Sequence, residues 1–171
     1  MVLTPVLKTE RLLLRPFTLE DAPAMYRWTS SIKCTEFLFW RPNRSPEDSA
    51  RILSRWVSKP RNYAWAIDLG GTAIGEINVI KNLPNQGFEI GYILRDDQWG
   101  QGYMSEAFAA VLSFLWSQGY QYGFAETDAR NLRSRHLLEK FGFQLCGSEK
   151  DRYIGKIDQK VDVVQYRYGK E

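Results

Sequence analysis

The 171-residue chain has 44% hydrophobic residues, 25% charged residues and a formal net charge of +3, values typical of one soluble globular domain over residues 1–171. Because it contains no run of five or more basic residues and no apolar stretch near the ~18 residues of a membrane span, we expect no nucleic-acid partner, no membrane anchor and a cytoplasmic location. The two cysteines lack metal-ligand spacing and His136 is the one histidine, so we expect no disulfide framework, no metal site and no histidine-based triad.

The N-terminal third of the chain predicts one strand and two helices. Residues 11–17 (RLLLRPF) predict the strand, and residues 18–30 predict the first helix, in which Asp21 forms an acidic capping box with an N-cap threonine. Residues 45–58 predict the second helix, which begins with a serine cap and a proline at the first helical position. Residues 30–45 lie between these helices.

The remainder of the chain predicts a sheet covered by helices. Short apolar runs separated by Gly-Gly and by NLPNQG indicate an antiparallel meander, and alternating helices and strands follow it. We therefore predict an α/β (mixed α+β) fold with a central mixed, mostly antiparallel sheet of about seven strands and about four helices on both faces. The predicted strands are 63–69, 72–80, 87–94, 122–129, 143–154 and 161–169, and the predicted helices are 104–119 and 131–142.

Two glycines join the strand 87–94 to the helix 104–119. In the stretch DDQWGQGYMSEAFAAVLSFLW (96–116), Gly100 and Gly102 allow the backbone to turn sharply. The first amide N–H groups of the helix would then point at open space and form an anion site suited to phosphate. A plain turn is the alternative interpretation, and the spacing matches neither a Walker loop nor a full GxGxxG fingerprint.

The stretch WGQGYMSEA resembles the acyl-CoA pyrophosphate loop of the GNAT superfamily of N-acetyltransferases. More narrowly, it resembles the RimJ/RimL type, which acetylates ribosomal-protein N-termini. Three further stretches match that type in the same order, so the resemblance spans nearly the whole chain: TERLLLRPFTLEDA, FEIGYIL and NLRSRHLLEKFGF. It implies a GNAT fold with acetyl-CoA as cosubstrate, bound by Ile93, Leu94, Trp99, Gly100, Gln101, Gly102, Tyr103, Met104, Ser105, Asn131 and Ser134.

Two positions depart from the family pattern. Asp97 stands where the loop often begins with arginine or glutamine, so the loop must bind phosphate through backbone amides. Leu138 stands where many members carry a tyrosine that acts as general acid. The resemblance implies Ser134 as the acid that contacts the thiol sulfur. A serine that only satisfies its helix is the alternative, and Tyr153 is a further candidate.

Acetyl transfer also requires a base, because an alkyl amine with a pKa near ~10 is mostly protonated at pH 7. Glu89 is the candidate, since its neighbours Phe88 and Ile90 indicate burial, and burial among apolar groups makes a carboxylate a better base. Glu76 on the preceding strand is the first competitor. A solvated glutamate without catalytic role is the alternative at either position.

The leading functional prediction is an acetyl-CoA-dependent N-acetyltransferase, monomer or homodimer, in which a primary amine attacks directly. The acceptor is either the N-terminal α-amine of a ribosomal or other protein, or a small amine such as a polyamine, amino acid or antibiotic. Residues 30–45 form part of the acceptor wall, and Phe37, Phe39, Trp40 and Arg41 favour a peptide. A non-catalytic acyl-CoA sensor is a further alternative, and a nucleic-acid-binding domain is suggested only by a pI of 8.8 and 14% aromatic residues.

Overall fold

An eight-stranded sheet organises the computed structural model of the chain, which describes residues 3–60 and 62–169. The strand order is β1-β2-β3-β4-β5-β6-β8-β7, and every neighbouring pair is antiparallel except β5 and β6, which are parallel. The mixed, mostly antiparallel sheet is thus confirmed. The strands are β1 (Leu7–Lys8), β2 (Leu13–Pro16), β3 (Ala64–Leu69), β4 (Thr72–Leu83), β5 (Gly87–Leu94), β6 (Tyr122–Asp128), β7 (Gln144–Ile154) and β8 (Gln159–Gly169).

Five α-helices occur in the described part of the chain, one more than predicted. They are α1 (Ala22–Thr29), α2 (Ile32–Thr35), α3 (Pro46–Ser58), α4 (Tyr103–Ser117) and α5 (Leu132–Lys140), and two 3-10 turns cover Leu19–Asp21 and Asp96–Gln98. None of the helices described is long and apolar enough to cross a bilayer. β1 and α2 were not predicted, because elements of two and four residues are too short to show a periodic pattern.

The helix predicted over residues 18–30 begins later than expected. Its first turn is the 3-10 turn, and α1 starts at Ala22. Asp21 still forms the predicted capping box, because its carboxylate accepts a hydrogen bond of 2.8 Å from the Thr18 amide. The same carboxylate accepts from the Arg15 guanidinium, which also binds Asp68 of β3. These hydrogen bonds attach β2, the start of α1 and β3 to one another.

The sheet has an apolar core on each face. The core between the sheet and α4 and α5 contains Phe88, Phe108 and Leu138, and the core between the sheet and α1 and α3 contains Trp28 and Leu53. Successive side chains of a strand point to opposite faces. The even-numbered positions 88–94 of β5 therefore face α4 and α5, and the odd-numbered positions 89–93 face α1 and α3.

The parallel strands β5 and β6 are paired along only part of their length. Gly87–Glu89 pairs with Tyr122–Phe124, whereas residues 90–94 of β5 do not pair with residues 125–128 of β6. The paired part is tightly packed, since a Cβ on Gly123 would lie 2.8 Å from the Phe88 ring. A gap consequently opens in the middle of the sheet beyond Glu89, and this gap positions the site described next.

Candidate active site

A cavity of about 330 Å³ lies beside the gap, between the end of β5, the glycine loop and the first turns of α5. Of the eleven residues predicted to bind the cofactor, all except Gln101 line this cavity. The remaining lining residues come from α2 and the segment after it, from α5, and from β5 and the 3-10 turn that follows it. Residues separated by more than a hundred positions in sequence, Lys33 and Leu137, thus share one cavity.

The glycine loop has the geometry that anion binding requires. Gly100 and Gly102 take φ values of +77° and +79°, a left-handed conformation that favours glycine. A Cβ on Gly100 would meet no atom within 4 Å, so the positive φ explains this glycine rather than crowding within the chain. The first helical hydrogen bond of α4 joins the Glu106 amide to the Gly102 carbonyl at 3.0 Å. The amides of residues 103–105 therefore lack an intrahelical acceptor and lie at the positive end of α4.

Trp99 connects the two sides of the cavity mouth. Its indole N–H donates to the Leu94 carbonyl at 2.9 Å, which fixes the ring at the end of β5. The guanidinium of Arg133 on α5 lies 3.8 Å from the ring centroid, and the ammonium of Lys33 on α2 lies 5.1 Å from it. All four residues line the cavity, and Arg133 brings positive charge to it, whereas the Lys33 ammonium is paired with Asp96 at 3.4 Å.

Two hydroxyl groups meet inside the cavity. The Tyr92 hydroxyl lies 2.8 Å from the Ser134 Oγ, and burial raises the pKa of Tyr92 well above its usual value. The Asn131 side chain accepts a hydrogen bond of 3.2 Å from the Ser134 amide, so it caps α5. Tyr92 was not among the predicted site residues. The sequence could have indicated Tyr92, because it stands beside the predicted cofactor residue Ile93 within FEIGYIL. It lies on the face of β5 opposite to Glu89.

Glu89 is buried, as the sequence predicts, but its surroundings are ionic rather than apolar. It is 8% exposed and is the last residue of β5 that pairs with β6, and the Lys81 ammonium is 2.7 Å from its Oε2 atom. On the neighbouring strand β6, Glu126 forms an ion pair of 2.8 Å with Arg152. Glu89 does not line the cavity itself; it faces α1 and α3, on the other side of the gap.

Glu76, the competing base candidate, has the more apolar environment. Its carboxylate accepts one hydrogen bond, 3.3 Å long, from the Trp28 indole, and burial raises its pKa to about 7. It lies on β4 opposite Ile93, one strand farther from the gap than Glu89. The two glutamates therefore differ in both position and charge environment.

Tyr153 lies far from the cavity, whereas part of the segment 30–45 lies beside it. Tyr153 is 61% exposed and donates to Asp158 at the end of the β7–β8 hairpin, away from the cavity residues. Phe37, from the segment predicted to form the acceptor wall, lines the cavity. The ring of Phe39 lies 5.4 Å from the Arg152 guanidinium, so this segment also reaches the polar face beyond the gap.

Comparison with known proteins identifies the family. Residues 11–144 match the family described as "Acetyltransferase (GNAT) domain", and the chain therefore belongs to the GNAT family of N-acetyltransferases. An uncharacterized N-acetyltransferase of Bacillus subtilis strain 168, YoaA, is 29% identical over 150 residues, which cover 84% of this chain and 85% of that protein. The protein is thus an acyltransferase, as the sequence predicts.

Solved structures share the fold over nearly their full lengths. A GNAT-family acetyltransferase from Bacillus anthracis has a TM-score of 0.85 at 23% identity and covers 96% of this chain and 98% of its own. RimL, a ribosomal L7/L12 α-N-protein acetyltransferase in complex with coenzyme A, has a TM-score of 0.84 at 20% identity with the same coverage. At these identities the likeness concerns the fold.

Acetyl-CoA is the acetyl donor of this family, and the cavity has features that fit it. The unpaired amides at the start of α4 and the two left-handed glycines suit a pyrophosphate. The cavity continues along residues 92–94 of β5 toward Ser134, which offers a path for the pantetheine arm. The described residues contain no group of three or more potential metal ligands.

The loop geometry predicts that Gly102→Val prevents CoA binding. Valine resists the positive φ of this position and would place a branched side chain where the phosphates approach. CoA and acetyl-CoA should each raise the melting temperature of the wild-type protein by a similar amount, and the variant should show no shift in differential scanning fluorimetry.

The matched control is Gly70→Val. Gly70 also has a positive φ, +61°, and open space around its Cβ position, but it lies in the β3–β4 turn. The control should lose stability and keep the CoA-induced shift. An unchanged shift in Gly102→Val would place the phosphates elsewhere.

The raised pKa of Glu76 makes the stability of the fold depend on pH. Because the carboxyl binds its proton more tightly in the folded chain, its contribution is fully present below pH ~4.5 and is lost as the pH rises through about 7. Glu76→Gln keeps an acceptor for the Trp28 indole without a charge. Calorimetry should give this variant a melting temperature about 7 °C or more above wild type at pH 8 and no advantage at pH ~4, because the shift corresponds to about 3 kcal/mol. Glu20→Gln, the same change at an exposed position, is the matched control.

Proposed function

We propose that the protein transfers an acetyl group from acetyl-CoA to the N-terminal α-amine of a protein. The observation that carries the chemistry is the gap between β5 and β6, which has a carboxylate on one face and two hydroxyls on the other. Glu89 faces α1 and α3, whereas Tyr92 and Ser134 meet on the side of α4 and α5. An amine and a thioester that meet in this gap would have a proton acceptor and a proton donor on opposite sides.

Each side chain then has a chemical role. Acetyl-CoA supplies the acetyl group as a thioester, whose C–S bond breaks as the N–C bond to the amine forms. Glu89 accepts the proton of the attacking amine as general base. The Ser134 hydroxyl donates a proton to the departing sulfur, and the Tyr92 hydroxyl at 2.8 Å can restore it. Because the thiol of CoA has a pKa near ~8.5, the thiolate can also leave without a proton. The general acid therefore contributes less to the rate than the general base.

The face next to Glu89 supports an extended acceptor such as a peptide. Polar side chains of β6, β7 and β8 continue this face: Arg152 binds Glu126, and Gln165 donates to Glu126 at 2.9 Å. β7 is mostly exposed, so the face is open rather than enclosed. The fold likeness to RimL, described as an α-N-protein acetyltransferase of ribosomal L7/L12, agrees with a protein N-terminus as acceptor.

A small polyamine is the second candidate acceptor. Three glutamates, Glu89, Glu126 and Glu149, lie on or beside this face, and carboxylates favour a cationic ligand. Lys81 and Arg152 neutralise two of the three charges, which weakens the case for a polycation relative to a peptide.

The acceptor proposal predicts a preference for peptides with a free α-amine. Initial rates with acetyl-CoA should be compared for a decapeptide with the N-terminal sequence of a ribosomal protein, the same peptide with a formylated N-terminus, spermidine and free amino acids. We expect kcat/KM for the free peptide to exceed that for every small amine by at least about tenfold, with no product from the formylated peptide.

Mass spectrometry of the product should place the acetyl group on the α-nitrogen. Faster acetylation of spermidine would support the second candidate instead. Absence of product with every amine, while CoA still raises the melting temperature, would indicate an acyl-CoA sensor.

The catalytic assignment predicts that Glu89→Gln lowers turnover by about 10²-fold or more and keeps CoA binding, since a general base contributes on this order. The rate of the variant should rise with pH toward the pKa of the acceptor amine, because solvent then supplies the neutral nucleophile. The wild-type rate should reach a plateau at lower pH. Steady-state rates between pH 6 and 10, with CoA affinity from calorimetry, measure both effects.

Two companion variants test the alternatives. Glu76→Gln removes the competing carboxylate and should change turnover far less than Glu89→Gln. Ser134→Ala should cost less than Glu89→Gln, because the thiolate can leave without a proton. Wild-type turnover and an unchanged pH profile in Glu89→Gln would eliminate Glu89 as the base.

A further inference from the structure

Arg11, in the segment between β1 and β2, is fixed against the glycine loop. Its Nε donates to the Glu106 Oε2 at 2.7 Å, and its Nη1 donates to the Gln101 carbonyl at 2.9 Å. Its guanidinium carbon lies 4.6 Å from the centroid of the Tyr103 ring. The Arg11 amide and the Thr9 hydroxyl donate to the other Glu106 oxygen. The guanidinium is therefore held in one orientation before any ligand arrives.

One nitrogen of this guanidinium faces the place where phosphate is expected. The Nη2 atom lies 3.5 Å from the position that a Cβ on Gly102 would occupy, and it has no hydrogen-bond acceptor among the described residues. The Arg11 side chain is 42% exposed, so a ligand can reach it. A fixed guanidinium with a spare donor is well suited to a phosphate oxygen, because little rotamer entropy is lost on binding.

Two carboxylates near the glycine loop would repel a phosphate unless a cation neutralised them. Glu106 stays ionised, since the Thr9 and Arg11 hydrogen bonds hold its pKa below the usual value, and it lies in the first turn of α4. Asp97 carries a second carboxylate, which is paired with Arg95. An uncompensated Glu106 would repel a phosphate at the helix N-terminus. Arg11 neutralises this carboxylate and turns another donor toward the loop.

We propose that Arg11 binds a phosphate group of CoA through Nη2 and supplies the cation that the position of Asp97 lacks. The ligand chemistry is a phosphate dianion or diester, which CoA offers as its pyrophosphate and as its 3′-phosphate. The inference depends on acetyl-CoA use by the family and not on the identity of the acceptor amine. Failure of the acceptor proposal would therefore leave it unaffected.

The experiment measures binding with ligands that differ in their phosphates. Wild type, Arg11→Gln, Arg11→Lys and Glu106→Gln are titrated with CoA and 3′-dephospho-CoA by calorimetry at low and high salt, and pantetheine is measured by competition. Arg55→Gln is the charge-matched control, because Arg55 is exposed on α3. Melting temperatures of the unliganded variants are recorded alongside.

Arg11→Gln should weaken CoA about tenfold or more, leave pantetheine unchanged and reduce the salt dependence of CoA affinity. Arg11→Lys should fall between it and wild type, and Arg55→Gln should bind like wild type. If Arg11→Gln loses as much affinity for 3′-dephospho-CoA as for CoA, the contact is with the pyrophosphate. If Arg11→Gln and wild type bind 3′-dephospho-CoA equally well, the contact is with the 3′-phosphate.

Three results would overturn the proposal. The first is unchanged CoA affinity in Arg11→Gln. The second is an equal loss for pantetheine and CoA, which would mean that Arg11 only shapes the loop. The third is a loss in Glu106→Gln as large as in Arg11→Gln, which would assign the effect to the Arg11–Glu106 ion pair rather than to a phosphate contact.

Discussion

The early end of the β5–β6 ladder is the constraint on which the rest of the site depends. Pairing stops after Glu89, and close packing around Gly87 and Gly123 holds the paired residues of the two strands together. Beyond that point the backbone of β5 faces a gap instead of a neighbour. If β6 stayed paired as far as Asp128, Tyr92 and Glu89 would be separated by a continuous sheet. In the proposed reaction, the divergence lets groups on the two faces act on one substrate.

The sequence predicted the elements that are long and periodic. The alternation of apolar residues in β3, β4 and β5 and the apolar face of α3 identified these elements to within a few residues of their bounds. β4 extends to Leu83, past its predicted end, because the following turn is confined to a few residues in which Asn85 and Gln86 take positive φ. β1 and α2 escaped notice because they contain too few residues for a period to be visible.

The candidate site was predictable where its information is local. The glycine spacing, the N-cap Asn131 and the helix after Gly102 are all visible within a few consecutive residues. Contacts between distant residues were not visible. Whether Lys81 faces Glu89 depends on a register shift between Val79 and Lys81 in β4, and Arg11 meets Glu106 across 95 positions of sequence. Tyr92 could have been predicted as a cavity residue, but its contact with Ser134 could not, because the two residues are 42 positions apart in sequence.

The short helix α2 has a consequence for how substrate preference can diverge. A helix of four residues is unstable alone, so the segment that follows it is ordered by its contacts, including Phe37 with Arg130 and Phe39 with Arg152. Those arginines belong to the C-terminal half of the chain. If this segment forms part of the acceptor site as proposed, a substitution of either phenylalanine would remove a ring from an arginine that keeps its own carboxylate partner, Asp128 or Glu126, so the effect of the change would extend into the C-terminal half of the gene.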